Sequence, residues 1–121
     1  MRAEVLKNGA KDEFETLERC HILEIANDAG DEFVSIARAR IGAGGLTALH
    51  RLEGVCERYL IVSGKGRVEL GGEPPVEVCE GDVVRIPPGV SQRIANVGTS
   101  DLVFYCICTP PYSPRCYRGL E

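Results

Sequence analysis

His50 and Glu57 stand seven residues apart, each inside a run of β-prone residues, with Glu53, Gly54, Val55 and Cys56 in the loop between them. A histidine and a carboxylate so placed can face one another across a hairpin or a barrel mouth, which is how strands build a polar site in an apolar interior. The chain has only two histidines, so imidazole chemistry falls to His50 or His21. His21 is remote from Glu57 in sequence and has the default role of a surface or hydrogen-bonded histidine. Tyr59 follows Glu57 by two residues and shares its face of a strand, where its hydroxyl can be offered to a ligand or satisfied at the rim of a core.

Such side chains need strands to hold them, and the sequence supplies many. From Cys20 onward, short β-prone runs are cut by Gly, Pro, Asn and Asp at close intervals: 20–26, 32–41, 46–52, 58–63, 66–70, 76–79, 83–86, 92–96 and 102–109. About nine runs with turn signals every eight to twelve residues, and no ten-residue helical period among them, are the pattern of an all-β sandwich or barrel. Gly64-Lys65-Gly66 and Gly71-Gly72 read as tight hairpin turns. Pro74-Pro75 and Pro87-Pro88 mark loops or strand ends. The first nineteen residues are expected to hold at most a short helix from Asp12 to Glu18, capped by Asp12.

Alternation sorts the faces. If His50 and Glu57 point inward, Leu52, Tyr59 and Ile61 join them in lining one cavity, and Gln92 shares its face with Ile94. Cys106 and Cys108 share a face of the last long run, with Tyr105 and Ile107 opposite. Arg38 and Arg40 lie together on theirs, as a solvated or inter-subunit ion-pairing surface.

Composition bounds the rest. At 121 residues the chain reads as one domain, 1–121, with a barrel core at about 32–109. A net charge of −4 with both signs interspersed argues against a phosphate-backbone ligand, which needs a clustered basic face. No apolar run is long enough to span a membrane and the start lacks a signal-peptide core, so the expectation is a soluble cytoplasmic protein. The six cysteines include no Cys-x-x-Cys pair and are expected to be reduced, as small apolar residues. Cys56, beside Glu57, is the thiol to watch.

The spacing Gly44, five residues, His50, one residue, Leu52, four residues, Glu57, six residues, Gly64 resembles the first motif of the cupin superfamily. Gly81, five residues, Pro87, one residue, Gly89, two residues, Gln92, three residues, Asn96 resembles the second. The resemblance implies an all-β double-stranded β-helix, the cupin jelly-roll barrel, with a short N-terminal extension and an irregular C-terminal tail. The tail would pack Tyr112 and Tyr117 outside the barrel or across a dimer seam. Homodimerisation, common among single-barrel cupins, is implied too.

In that family two histidines and a glutamate of the first motif and a histidine of the second hold a divalent metal. Residue by residue those positions are His50, Leu52, Glu57 and Gln92. Leu52 cannot ligate and Gln92 offers a neutral carbonyl oxygen, a weak donor to a transition metal. The resemblance thus implies a reduced metal set of His50, Glu57 and Gln92 for Fe, Mn, Ni, Zn or Cu, acting on a small oxygenated or anionic metabolite. The alternative is a metal-free ligand-binding or sensor barrel in which His50 and Glu57 hydrogen-bond each other or the ligand.

Overall fold

The computed structural model describes residues 1–121 and contains eleven strands, one 3₁₀ turn and no α-helix. In chain order the strands are β1 (Phe14–Glu15), β2 (His21–Ala26), β3 (Ser35–Ile41), β4 (His50–Leu52), β5 (Cys56–Ser63) and β6 (Lys65–Leu70). They continue with β7 (Val76–Cys79), β8 (Val83–Ile86), β9 (Gln92–Asn96), β10 (Leu102–Thr109) and β11 (Tyr117–Gly119). Two antiparallel sheets result, ordered β1-β2-β3-β10-β5-β8 and β11-β4-β9-β6-β7. Consecutive strands repeatedly change sheets, which is the jelly-roll winding of a double-stranded β-helix.

The expected alternation decides which side chains meet between the sheets. In β5, Glu57, Tyr59 and Ile61 are buried while Arg58 and Leu60 face out. Ile41, Ile61, Ile94, Leu102 and Phe104 form the centre of the main core with Tyr59. Asn96 closes the far end of β9: its amide nitrogen donates to the carbonyls of Ile41 (2.9 Å) and Ser100 (2.8 Å), and its side-chain oxygen accepts from Gly98 N–H (2.9 Å). One side chain thereby satisfies three backbone groups, two in the β9–β10 connection and one at the end of β3, which accounts for an asparagine at that motif position.

The Gly64-Lys65-Gly66 segment is not a hairpin turn, because β5 and β6 belong to different sheets. It is the corner between them. Gly64 has φ +90°, and a Cβ there would lie 2.6 Å from the carbonyl oxygen of Asp101. Glycine is needed both for the left-handed backbone and for the close approach of the β10 strand. Gly71-Gly72 does lie in the β6–β7 hairpin connection, both at positive φ.

Both flanks carry strands. The segment expected to be helical from Asp12 to Glu18 instead forms β1, pairing Phe14 with Ile22, and a turn. The Thr16 hydroxyl bonds the Cys20 carbonyl (3.1 Å) and the Glu18 N–H (3.2 Å), the local side-chain competition that disfavours helix. The tail is irregular only at its start. After the 3₁₀ turn Pro114–Cys116, β11 pairs with β4 and sets Tyr117 opposite Leu52 and Gly119 opposite His50. No helix is long and apolar enough to cross a membrane.

Candidate functional site

The chemistry-bearing residues converge from both sheets. His50 on β4 is the register partner of Gln92 on β9, while Glu57 on β5 faces them from the other sheet, paired with Cys108 of β10. Their link is therefore across a barrel mouth rather than a hairpin. His50, Glu57, Tyr59 and Gln92 are all buried, Gln92 completely. A carboxylate 93% removed from water is costly unless partnered, and Glu57, at 7% exposure, has one hydrogen-bond donor of acceptable geometry, the Cys108 thiol at 3.7 Å.

Each neighbour is already engaged. The Tyr59 hydroxyl donates to the Gln92 side-chain oxygen. The Gln92 amide nitrogen is buried without a well-formed partner, yet lies near enough to Glu57 to pull its pKa down against burial. His50 Nδ1 donates to the Ala48 carbonyl (2.8 Å), which leaves Nε2 toward the Glu18 carboxylate at 3.7 Å. The His50 ring stacks on Tyr117 with centroids 5.1 Å apart.

This arrangement does not fit a divalent metal. The Gln92 side-chain oxygen is already taken by the Tyr59 hydroxyl; Leu52 is apolar and packs in a separate cluster with Val55, Cys108 and Cys116. No three His, Cys, Asp or Glu side chains come together in a form that could hold a metal ion.

Glu18 is the residue that completes the site, and the β1–β2 connection delivers it. Arg19, at φ +65°, donates to the carbonyls of Leu46 (3.0 Å) and Thr47 (3.4 Å) and forms a two-pronged pair with Glu121 at 2.9 and 3.0 Å. Glu121 in turn accepts from Leu49 N–H at 2.7 Å, and the Glu18 carbonyl accepts from Ala48 N–H at 2.9 Å. The turn is stapled to the backbone just ahead of His50, with the Glu18 side chain aimed inward.

Glu18 and Glu57 both line a cavity of about 420 Å³, well within the range of small-molecule pockets. Its walls include Phe14, Tyr112, Tyr117, Cys106 and Cys108. Of the five residues expected to line one cavity, all are buried and inward, but only Glu57 reaches this one; His50 stands behind Glu18, and Leu52, Tyr59 and Ile61 belong to packed core. Tyr112 and Tyr117, expected outside or at a dimer seam, are cavity walls. Tyr112 is held there by its N–H to Ser35 Oγ (2.9 Å) and its carbonyl to Asn27 (2.9 Å). Cys56 is half-buried and absent from the cavity; the cavity thiols are Cys106 and Cys108, among six free cysteines. Arg38 and Arg40 pair within the chain, with Glu13 at 3.4 and 2.9 Å.

Burial dominates the electrostatics. Desolvation, then the Glu18 charge, push the Glu57 carboxyl up to about 7, opposed by Gln92, His50 and Cys108. Desolvation also raises Glu18, with the His50 charge opposing. Burial pushes the Cys20 thiol up to about 11 and Cys108 higher still, so these thiols are poor nucleophiles at neutral pH. Two carboxyl groups with raised proton affinity facing one cavity, one of them backed by an imidazole, can give and take a proton from a bound molecule.

Sequence reasoning missed Glu18, Tyr112 and Tyr117. The Glu18 turn lies outside both motifs, and its position depends on the Arg19 contacts, which join residues 27 and 102 positions apart. Period-two alternation through β11 would have joined Tyr117 to Gly119 on one face, without saying which strand that face met.

Residues 37–108 match the cupin domain family model. An uncharacterized protein of Methanocaldococcus jannaschii is 38% identical over 87 residues, 72% of this chain and 69% of that protein. An oxalate-binding protein of Thermotoga maritima is 35% identical over 71 residues, 59% of this chain and 58% of that one, less than two thirds of its length. Among solved structures, a predicted oxalate decarboxylase from Thermotoga maritima superimposes with a TM-score of 0.77 at 23% identity, covering 88% of this chain and 99% of that one. A Streptomyces nucleoside dehydratase solved with uridine gives 0.82 at 16% identity, covering 100% and 93%. At those identities the structural likenesses establish the fold.

Proposed function

The chain belongs to the cupin domain family, and from that premise we propose that it is a small-molecule cupin whose ligand occupies the 420 Å³ cavity, held by Glu57 and Glu18 without a metal. The observation that carries this is Glu57: a buried carboxylate on the cavity wall with only a thiol as hydrogen-bond donor. A ligand that donates hydrogen bonds would satisfy it. The engagement of Gln92 by Tyr59 and the direction of His50 toward Glu18 support the metal-free form over the set His50, Glu57 and Gln92. Proton transfer to or from an oxygen-bearing ligand is the chemistry that Glu57 and the Glu18–His50 pair support.

The test combines metal analysis with ligand screening. Protein purified without chelator or affinity-tag metal is expected to contain no stoichiometric Fe, Mn, Ni, Zn or Cu and to keep its melting temperature in EDTA. Metabolites that raise the melting temperature are expected to lose that effect in Glu57→Gln and in Glu18→Gln. Stoichiometric metal that disappears in His50→Ala overturns the proposal in favour of a metal-dependent site, to which the oxalate-binding relative would then be the guide. The homodimer and the cytoplasmic location expected from the sequence remain with this proposal. The first is supported by Leu60, Val62 and Val83, exposed together on the outer face of β5 and β8.

A further inference from the structure

The cavity's ionisable side chains include acids and no bases. Glu18, Glu24 and Glu57 contribute to its lining, and no lysine or arginine does. The cations nearby are committed elsewhere: Arg38 and Arg40 to Glu13, Arg19 to Glu121, and Lys11 to the Glu24 carbonyl at 3.3 Å on the exposed side. The imidazole of His50 stands behind Glu18 rather than on the wall. The rest of the lining is uncharged: Thr16, Asn27 and Ser35 are polar, and the remainder is apolar or aromatic, with the rings of Phe14, Tyr112 and Tyr117 around it. A second negative charge brought beside Glu57, which is 7% exposed, would be desolvated against two carboxyl groups with no lysine or arginine on the wall to meet it. A positively charged nitrogen meets the opposite situation. Its N–H groups find in Glu57 an acceptor whose one hydrogen-bond donor is a thiol, and its charge finds aromatic faces within the same small space.

We propose that the cavity selects small organic cations, an amine carried on a compact apolar or aromatic body, over carboxylates. The inference rests on the cavity being the ligand site, and it adds the class of ligand. It separates this chain from its oxalate-binding relative, since an oxalate dianion is the ligand these walls are least suited to hold.

Three molecules of one body and different charge test it: tyramine, the alcohol tyrosol and para-hydroxyphenylacetate, each titrated calorimetrically into the full chain at neutral pH, with oxalate as a fourth probe. Tyramine is expected to bind about tenfold or more tighter than tyrosol, and both carboxylates weakest. Glu57→Gln and Glu18→Gln, each isosteric, are expected to weaken tyramine far more than tyrosol and so to remove most of tyramine's advantage. Equal affinities, or a carboxylate that binds best, overturn the cation selectivity and leave the cavity as a ligand site. No binding by any probe, together with no response to a broader metabolite screen, overturns both the selectivity and the cavity's role.

Discussion

Glu57→Gln isolates the energetic consequence of burying a carboxylate at the barrel mouth. The folded protein holds the Glu57 proton up to about 7, against an ordinary 4.5. Between those values the native state binds more protons than the unfolded chain, so stability falls as pH rises through that window and levels off above it. At about 1.4 kcal/mol per tenfold change in proton affinity, the full difference is about 3 kcal/mol. It is a cost present at pH 8 and absent below pH 4.5. Glutamine has the same shape, is always neutral, and keeps an oxygen to accept from the Cys108 thiol. Glu57→Gln is therefore expected to match the natural protein near pH 4.5 and to exceed it by up to about 3 kcal/mol at pH 8.

Urea denaturation followed by far-ultraviolet circular dichroism, from pH 4.5 to 8.5, measures both curves. The chain has no tryptophan, which makes backbone signal the better probe. Glu18 is raised in the same direction and stays in the variant, so its curve keeps part of the slope. The reasoning is refuted if the two proteins show parallel stability across the range, or if Glu57→Gln is the less stable one at pH 8.

Tyr59→Phe keeps the ring contact with Phe104, 4.5 Å between centroids, but removes the donor to Gln92; a loss of about 1–2 kcal/mol is expected in the same urea assay, and an unchanged midpoint would contradict it. Gly64→Ala must force a Cβ to within 2.6 Å of the Asp101 oxygen and 2.9 Å of the Leu102 Cα at a left-handed φ, so a loss of about 2–4 kcal/mol is expected in thermal unfolding. Arg19→Ala releases the turn that carries Glu18: hydrogen exchange at residues 18–20 is expected to accelerate while the amides of β5 and β10 hold their protection. Uniform acceleration would show that the staple supports the whole barrel instead.

The fold was legible because its constraints are local and repeat. Alternation put Glu57, Tyr59 and Ile61 on one face of β5 and Gln92 and Ile94 on one face of β9, and all five are buried. The motif glycines mark backbone requirements that a sequence shows directly. Gly64 was recognised as a turn but assigned the wrong kind, since a corner between sheets and a hairpin ask the same φ of a glycine. Only the pairing of the flanking strands tells them apart.

The site was legible in half. His50, Glu57 and Gln92 sit on regular strands at the motif positions of the cupin resemblance, and it was the resemblance that put the three together. Glu18 sits in a five-residue turn whose course is set by a guanidinium reaching residues 46, 47 and 121, contacts with no local signature. Yet Glu18 changes the chemistry most, because it turns His50 from a free ligand into the partner of a carboxylate and adds a second acid to the wall facing Glu57. A barrel whose motif positions carry Leu52 and Gln92 in place of two imidazoles has, on the proposed metal-free reading, no positive centre to draw anions. With Glu18 folded over its mouth it has acquired negative charge there instead, so the loss at the motifs and the gain outside them push ligand preference in the same direction.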